Sequence, residues 1–279
     1  MVRAEFAGRG FVQFIEENYA GKRCWMIDTW RDEGFCHAFF GAELDVREQP
    51  TPFEALAEAG APFDRLRVMR QVHGTEVLTV DAAMAERLVL SAENSTLEGD
   101  AWFVDLSAVS LRGVAFGVRT ADCLPVIIRS RSLPFASCIH SGWRGSVAKI
   151  TTVALRSFAE RGVSADDVEV AIGPGARGCC YEIGPEVVPF FENCFDDHRR
   201  SAAQDLELLP PLRRTYQSIY VDNATLVLAE VLAAGVPASQ IALFSGCTIC
   251  DDRFFSFRRE KELSGRQVSV IGSPRRLDK

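Results

Sequence analysis

Two histidines and one cysteine, each flanked by small residues, have the clearest potential for chemistry in this sequence. His73 lies in Gln-Val-His-Gly, Cys123 in Thr-Ala-Asp-Cys-Leu-Pro, and His140 in Ile-His-Ser-Gly-Trp-Arg-Gly. Two imidazoles and one thiolate can bind zinc or copper, and three ligands leave a fourth position open for water or substrate. The same residues could instead provide a Cys nucleophile with a His base, or lie apart in the fold, because their spacing matches no compact metal motif.

A possible anion site follows His140 in the chain. The segment Ser141 to Gly145 marks the place where a predicted strand ends and a long helix begins, and a helix N-terminus presents free N–H groups to an anion. Arg144 adds a fork of donors suited to phosphate, unless it pairs with a nearby carboxylate. A second basic cluster around Arg258 is either another anion contact or a solvated surface.

Two short motifs favour structural interpretations. Gly173 to Gly178 spells GxGxxG after a strand, but Pro174 removes one N–H group and no helix opens after it, so a glycine-rich turn is favoured over a dinucleotide site. Cys247 and Cys250 form a single CxxC with no second CxxC at matching spacing. Thiols at a strand end are therefore expected, rather than a zinc knuckle.

Composition limits the classes of function. The chain has 279 residues, a net charge of −7, four His and nine Cys. An acidic chain lacks the basic footprint of a nucleic-acid binder, and four His without a His-x-His pair cannot build the several centres of a multi-copper oxidase. We find neither a signal peptide in Met1 to Gly21 nor an apolar run near the ~18 residues of a membrane span, so a cytoplasmic protein with free thiols and no membrane partner is expected.

The hydrophobic pattern predicts the elements that position these residues. Apolar runs with strand lengths are Leu66–Met69, Glu76–Val80, Leu111–Arg119, Pro125–Ile128, Phe135–Ile139, Glu169–Ile172, Ile241–Phe244, Phe254–Phe257 and Val268–Ile271. Helices are predicted for the segments from Thr51 to Gly60, Gly145 to Arg161, Gly184 to Phe195, and Asp222, as N-cap, to Val231, with a surface loop from Asp196 to Gln204. Strands and helices do not alternate strictly, which favours a mixed α/β layered fold in one domain over a doubly wound parallel sheet.

Several multi-residue motifs occur in a fixed order along the chain. They are QVHGTEV, EGDA, TADCLPV, IHSGWRG, AIGPGARGCCYEIG, Cys247-Thr248 and FFSFRRE with SGRQ after it. In this order they resemble the family named for a polyphenol oxidase or laccase domain, whose bacterial members are also called peptidoglycan editing factors or purine nucleoside phosphorylases. The likeness covers roughly residues 64 to 272 and is weaker from Gly34 to Gly41.

The resemblance implies an α–β–β–α layered sandwich, shared with cytotoxic deamidase toxins, and one zinc on His73, Cys123 and His140, with copper as the alternative metal. It implies phosphorolysis of adenosine, inosine, guanosine or 5′-methylthioadenosine, deamination of adenosine, and exclusion of L-serine from the peptidoglycan precursor. The partners would be a purine nucleoside and phosphate, and a homodimer stays open.

The expected roles around this metal follow from residue chemistry. Phosphate would lie on Arg144, while Gln71 and Asp100 are candidates to support the ligands or to contact the ribose. The chain has no HxE pair for a deaminase proton shuttle, and Glu182 or Asp122 could take that role. A Cys/His amide hydrolase, a copper oxidase and a non-catalytic regulator are the alternatives.

The sequence departs from the family pattern at one position that concerns phosphate. The Asn-Arg pair whose arginine helps to hold phosphate is missing, and the segment Thr51 to Leu56 stands in its place. Arg67 or Arg70 could substitute. Phosphorolysis is therefore less secure than metal binding.

Overall fold

A computed structural model describes residues 12–19, 21–47, 63–90, 97–201, 208 and 210–274. The strands, numbered β1 to β15 in chain order, are Phe14–Tyr19, Lys22–Ile27, Cys36–Phe40, Arg65–Val68, Val77–Val80, Ala101–Asp105, Val114–Thr120, Leu124–Ser130, Phe135–Ser141, Val168–Ile172, Glu182–Ile183, Leu212–Arg214, Ile219–Val221, Ile241–Leu243 and Gln267–Ser273. The α-helices, numbered α1 to α7, are Asp28–Asp32, Ala82–Leu90, Trp143–Val147, Ile150–Ala159, Val188–Ser201, Asn223–Ala233 and Phe257–Glu260. Short 3₁₀ turns occupy Val109–Leu111, Ala165–Asp167, Ala238–Gln240 and Lys261–Leu263.

Two six-stranded sheets form the centre of the fold. The first has the order β1-β2-β3-β15-β7-β4 and the second has the order β14-β10-β8-β9-β6-β5. Both sheets are mixed, since β4 runs parallel to β7, β5 parallel to β6 and β14 parallel to β10, while the other pairs are antiparallel. A small antiparallel sheet, β11-β13-β12, lies outside them. The predicted mixed α/β class is confirmed.

The two large sheets pack face to face, and their inward side chains form one apolar core. Trp102 of the second sheet contacts Phe116 of the first with ring centroids 5.2 Å apart, and its indole N–H donates to the carbonyl of Gly117 at 3.1 Å. On the outer face of the second sheet, α4 and α6 bury a further set of side chains, among them Phe158 against Phe103. This is the sheet-on-sheet-on-helix layering expected when each sheet has apolar faces to bury.

The predicted helix from Gly145 to Arg161 is in fact two helices. Lys149 adopts a left-handed φ of 65° between α3 and α4, and the second helix ends at Ala159. The start of α4 is held by a residue distant in sequence, because Thr152 donates from its backbone N–H (2.6 Å) and from Oγ1 (2.8 Å) to Glu230 on α6. Tertiary contacts thus overrule a continuous helical pattern.

Other predicted elements have mixed outcomes. The Asp222 N-cap is confirmed, since its carboxylate accepts from the N–H groups of Ala224 and Thr225. The predicted strand from Phe254 to Phe257 is wrong: Ser256 caps α7 by accepting from the N–H of Arg259 at 3.2 Å. The predicted surface loop from Asp196 begins inside α5, which runs to Ser201.

Several strands were not predicted, and one predicted helix cannot be compared. Strand β1 has a largely polar sequence and lies at the edge of its sheet, where it pairs only with β2. Because its strand conformation depends on this pairing, the local sequence pattern does not predict it. The predicted helix from Thr51 to Gly60 lies outside the described residues. No helix in the described ranges has both the length and the apolar character needed to cross a lipid bilayer.

Candidate metal centre

Three separate chain segments bring His73, Cys123 and His140 together. His73 lies in the loop between β4 and β5, Cys123 immediately precedes β8, and His140 lies near the end of β9. Because β8 and β9 pair antiparallel with Leu124 opposite Ser141, the start of one strand meets the end of the other. Sheet register, rather than sequence spacing, creates this group, which we call the N₂S cluster.

The geometry of the N₂S cluster suits one metal ion. Its three ligand atoms lie within 4.8 Å of one another, and Cys123 Sγ is 4.0 Å from His73 Nε2. Gly142 forms the floor: a Cβ there would be 2.9 Å from His73 Cδ2 and 3.1 Å from Cys123 Sγ. Only glycine permits this convergence. The donor set of two nitrogens and one sulfur fits Zn²⁺ with an open fourth position.

Asp100 holds two of the N₂S cluster ligands, His73 and His140, in position by hydrogen bonds. Its fully buried carboxylate accepts N–H groups from Val72 (3.3 Å), His73 (2.9 Å) and Gly74 (2.7 Å). These bonds hold the loop in which His73 has a left-handed φ of 61°. The same carboxylate lies 2.8 Å from His140 Nδ1, so that nitrogen carries a proton and Nε2 is left as the metal-binding atom.

Electrostatics favour a thiolate in the N₂S cluster. Burial by itself raises the pKa of Cys123, but the neighbouring His140 and His73 imidazoles outweigh it and lower that pKa to about 6. Burial by itself lowers the pKa of His140, but the Cys123 charge and Asp100 raise it to about 9. A thiolate paired with imidazolium is therefore the stable state of the metal-free cluster.

Two of the predicted site residues have clear structural partners. The Gln71 side chain donates from Nε2 to the carbonyl of Arg119 and accepts the Arg119 N–H through Oε1, both at 2.8 Å. Gln71 and Asp100 were each predicted either to support the metal ligands or to contact the ribose. The supporting role fits their contacts better, because the Gln71 amide and the Asp100 carboxylate both form their hydrogen bonds within the protein. The fully buried Asp100 carboxylate, which is engaged by His140 and the His73 loop, favours the supporting role over a direct ribose contact.

Arg144 is exposed and its guanidinium lies 4.4 Å from the centroid of the Trp143 ring. It has no ion-pair partner among the described residues, so the alternative of a carboxylate partner finds no support there. Its charge is available to an anion. The helix in which it lies, α3, has five residues and is too short to add a sizeable dipole.

The residues considered for proton transfer, Asp122 and Glu182, belong to a hydrogen-bonded group next to Cys123 that also contains Thr248 and Arg258. We call this group the wall of the N₂S cluster. Asp122, with a φ of 89°, accepts through one carboxylate oxygen from Thr248 Oγ1 and through the other from the Arg258 N–H, both at 2.7 Å. The Arg258 guanidinium donates to the carbonyl of Glu182 at 2.9 Å, and the Glu182 carboxylate accepts from Ser218 Oγ at 2.6 Å. Arg258 thus connects Asp122 and Glu182 by hydrogen bonds within the protein.

Sequence reasoning missed three residues of this neighbourhood. Tyr181 lies under the Arg258 guanidinium at 4.9 Å, and burial together with the Cys123 charge raises its pKa to about 12. Gly142 and Thr248 were also not singled out, although both occur inside recognised motifs. Only their contacts distinguish them from neighbouring motif residues.

The remaining histidines are structural. His37 accepts the Ile27 N–H through Nε2 at 2.7 Å and lies 2.9 Å from the Phe35 carbonyl through Nδ1. His198 Nε2 lies 3.3 Å from Cys194 Sγ. Burial lowers the pKa of both rings to about 4, so both are neutral.

The structural interpretation of the CxxC segment requires a correction. Cys247 and Cys250 meet Cys179 and Cys180, and the four sulfur atoms lie within 4.8 Å of one another. The partner pair is two adjacent cysteines, not a second CxxC, so a search for matching spacing could not find it. We call this group the four-thiol cluster.

The GxGxxG segment is a close-packed turn, as predicted. A Cβ on Gly173 would lie 2.4 Å from the Phe39 ring, and one on Gly175 would lie 2.5 Å from a Leu124 methyl. These glycines allow the loop to pass tightly over the sheets.

The fold and the N₂S cluster define a class of two-sheet α/β proteins with one open metal-ligand set. The sequence model of the family described as multi-copper polyphenol oxidoreductase laccase matches residues 46–274. The chain therefore belongs to this family.

Named relatives of the chain agree with the family assignment. A protein named adenosine deaminase RL5, from an unknown prokaryotic organism, is 30% identical over 215 residues, 77% of each chain. A purine nucleoside phosphorylase from Bacteroides thetaiotaomicron is 33% identical over 241 residues, 85% of this chain and 83% of its own. The crystal structure of YlmD from Geobacillus stearothermophilus aligns with a TM-score of 0.72 and 25% identity, over 91% of this chain and 96% of that one.

Proposed function

We propose that this protein is a zinc-dependent enzyme of purine nucleosides, with His73, Cys123 and His140 as the metal ligands. The observation that carries the proposal is the convergence of these three side chains on Gly142 with Asp100 behind them. Relatives named adenosine deaminase and purine nucleoside phosphorylase support the substrate class.

The protein residues have separable tasks in this proposal. A bound Zn²⁺ supplies Lewis acidity toward water or a substrate oxygen. Asp100 keeps the His140 proton on Nδ1, so that Nε2 faces the metal position. Cys123 is held as a thiolate by the two imidazoles. Arg144 offers its exposed guanidinium to phosphate.

The contacts of the other arginines bear on phosphorolysis. Arg67 is buried and donates to the carbonyl of Leu88, and Arg70 is paired with Glu98. Neither arginine substitutes readily for the missing phosphate-binding one. We therefore propose Arg144 as the principal phosphate ligand. Deamination does not use phosphate, so it does not depend on this arginine.

An assay of zinc-loaded protein with adenosine, with and without inorganic phosphate, tests the proposal. Release of adenine only with phosphate indicates phosphorolysis, while inosine in either buffer indicates deamination. Cys123→Ala should abolish both, and Cys36→Ala, a change outside both clusters, should preserve them. If neither product forms with adenosine, inosine, guanosine or 5′-methylthioadenosine, the proposal is overturned and a non-catalytic role gains support.

A Cys/His amide hydrolase is the second candidate. It is favoured by the position of Cys123 Sγ within 4.8 Å of the His73 and His140 ring nitrogens, the arrangement of a cysteine nucleophile with its base, and by the lowered pKa of Cys123. A stoichiometric metal bound by His73, Cys123 and His140 would exclude it, because the thiolate is then occupied. Amide hydrolysis that persists in chelator would establish it.

The copper oxidase activity in the family description is disfavoured on chemical grounds. Four-electron reduction of oxygen uses several copper centres, and the N₂S cluster supplies one set of imidazole ligands. Copper-loaded protein should therefore fail to oxidise a phenol under conditions where the zinc form turns over nucleosides.

The physiological setting is also a proposal. We propose a cytoplasmic enzyme in which residues 1–279 form one catalytic domain, with a role in keeping L-serine out of the peptidoglycan precursor. Loss of the protein should then raise the L-serine content of the peptidoglycan, and an unchanged content would contradict the editing role.

A further inference from the structure

The four-thiol cluster joins two loops that are distant in sequence. Cys179 and Cys180 end the glycine-rich turn after β10, and Cys247 and Cys250 lie in the loop after β14. The loops are also joined by backbone, since Gly175 forms a β-bridge with Cys247 and its carbonyl accepts the Thr248 N–H at 3.1 Å. The thiols therefore lie on a prearranged scaffold.

The four sulfur atoms lie close enough together to share one metal ion. Four thiolates around one Zn²⁺ at about 2.3 Å have neighbouring sulfurs about 3.8 Å apart. Here all four lie within 4.8 Å of one another, with Cys250 Sγ 3.6 Å from Cys179 Sγ and 2.6 Å from Cys180 Sγ. The last contact is shorter than in a zinc site, so the Cys180 and Cys250 sulfurs would move apart by about 1 Å when the ion binds. Neutral thiols are weak hydrogen-bonding groups and gain little from such crowding, whereas a soft cation neutralises four thiolates at once.

Backbone donors at the cluster favour thiolates further. The Arg177 N–H donates to Cys247 Sγ at 3.3 Å. The CxxC segment closes as a compact turn, with the N–H groups of Cys250 (3.1 Å) and Asp251 (3.0 Å) donating to the Cys247 carbonyl. N–H donors directed at sulfur are the outer shell that a metal thiolate requires.

We propose that Cys179, Cys180, Cys247 and Cys250 bind a second Zn²⁺, separate from the N₂S cluster. Four protein ligands close the coordination sphere, so this ion is structural and takes no part in the chemical step. This proposal does not depend on the nucleoside activity.

The position of the four-thiol cluster gives the second ion a task. Thr248, between the two cysteines of the CxxC, donates from Oγ1 to Asp122 at 2.7 Å, and Asp122 directly precedes Cys123. Arg259 holds the same loop by donating to the Thr248 carbonyl at 2.7 Å. The ion would clamp the loop that supports the wall of the N₂S cluster.

Zinc content of the full-length protein, purified with reductant and without chelator, tests the proposal. We expect two equivalents in the wild type, one in Cys179→Ser/Cys250→Ser, one in Cys123→Ala, and two in the control Cys36→Ser. A wild type with one equivalent that Cys123→Ala removes would overturn the proposal. Iron in place of zinc in Cys123→Ala would also overturn it.

X-ray absorption on the Cys123→Ala protein provides a readout that leaves the four-thiol cluster intact. We expect a zinc environment of sulfur only, at about 2.3 Å. Nitrogen or oxygen ligands in that spectrum would contradict the four-thiol assignment. An intact mass of the unreduced protein that is two hydrogens low, with no bound zinc at the thiols, would identify a disulfide instead and overturn the proposal.

Discussion

The two clusters of metal-ligating side chains use cysteine in opposite ways. In the N₂S cluster one cysteine is combined with two imidazoles, and a buried carboxylate sets the orientation of one ring. In the four-thiol cluster every ligand is a cysteine, and backbone N–H groups provide the surroundings. Three ligands leave room for a substrate, whereas four fill the coordination sphere. In our proposals, the number and type of ligands therefore distinguish a reactive centre from a structural clamp.

Proton affinities of the thiols follow the same division. The imidazoles of the N₂S cluster lower the pKa of Cys123 to about 6. Within the four-thiol cluster the pKa values of Cys179, Cys180 and Cys250 are raised, that of Cys250 to about 12 by Cys180 and burial, and only the pKa of Cys247 is lowered. Without a cation, negative charges on neighbouring sulfurs oppose one another, so only metal binding makes several thiolates stable together.

The sharpest test of this division compares two substitutions. Cys123→Ala should lower nucleoside turnover by about 10³-fold or more while leaving the melting temperature nearly unchanged, because strand pairing and the Asp100 hydrogen bonds hold the ligand segments without the metal. Cys250→Ser should do the reverse, with a lower melting temperature and a specific activity near that of the wild type at low temperature. Calorimetry and turnover should be measured on the same preparations. If both variants lost activity equally, the proposed division between a reactive centre and a structural site would be refuted.

Gly142→Ala should have the next largest effect. The added Cβ meets His73 and Cys123 Sγ at 2.9 and 3.1 Å, so the ligand atoms must move apart. Displacement of a reacting group by about 1 Å costs about 10²-fold in rate. Turnover at saturating Zn²⁺ checks this, and content of the second zinc should be unaltered, which separates a local effect from unfolding. Wild-type activity in Gly142→Ala would contradict the tight floor of the N₂S cluster.

Asp100→Asn should weaken zinc binding at the N₂S cluster by about tenfold to a hundredfold. The amide cannot accept from all of its present donors, so both the His140 tautomer and the His73 loop lose support. Competition titration with a chromophoric chelator measures the change. An unaltered affinity would show that His140 needs no partner at Nδ1.

Thiol alkylation of metal-stripped protein sharpens the electrostatic contrast. The lowered pKa makes Cys123 a thiolate above about pH 6, whereas burial raises the pKa of Cys36 to about 11. At pH 7 we expect Cys123 to react more than about tenfold faster than Cys36, even after its lower intrinsic nucleophilicity is included. The Cys123 rate should fall as the pH drops below about 6. Peptide mass spectrometry follows each thiol, and equal rates at pH 7 would remove the contrast.

The smallest expected effect concerns the link between the clusters. Thr248→Val removes the hydroxyl that donates to Asp122 while keeping the shape of the side chain. Loss of this hydrogen bond should cost about 1 kcal/mol, seen as a decrease in turnover of less than about tenfold. Thr120→Val is a matched control, because its buried Oγ1 has no hydrogen-bond partner within the described residues. Equal behaviour of the two variants would show that the four-thiol loop does not support Asp122.

Sequence patterns predicted five of the six strands of the second sheet, all but β6, and three of the six strands of the first, β4, β7 and β15. The strands near Pro125–Ile128 and Glu169–Ile172 are short runs rich in Val and Ile, and they are almost wholly buried, so few alternatives to a strand exist for them. Strands β1 to β3 carry polar or mixed residues, and they become strands only through pairing across the sheet. Next to the break at Lys149, the start of α4 is likewise held by a contact that no local window contains, from Thr152 to Glu230.

The sequence by itself determined the candidate ligands His73, Cys123 and His140, because several motifs in fixed order identify the family. It also determined the Asp222 cap, because helix capping depends on local sequence. Only the tertiary structure decided what surrounds them. It placed Asp100 behind His140, Gly142 beneath the ligands, and Cys179 and Cys180 against Cys247 and Cys250. The physical reason is that these contacts join residues tens of positions apart, and strand order and register determine such contacts.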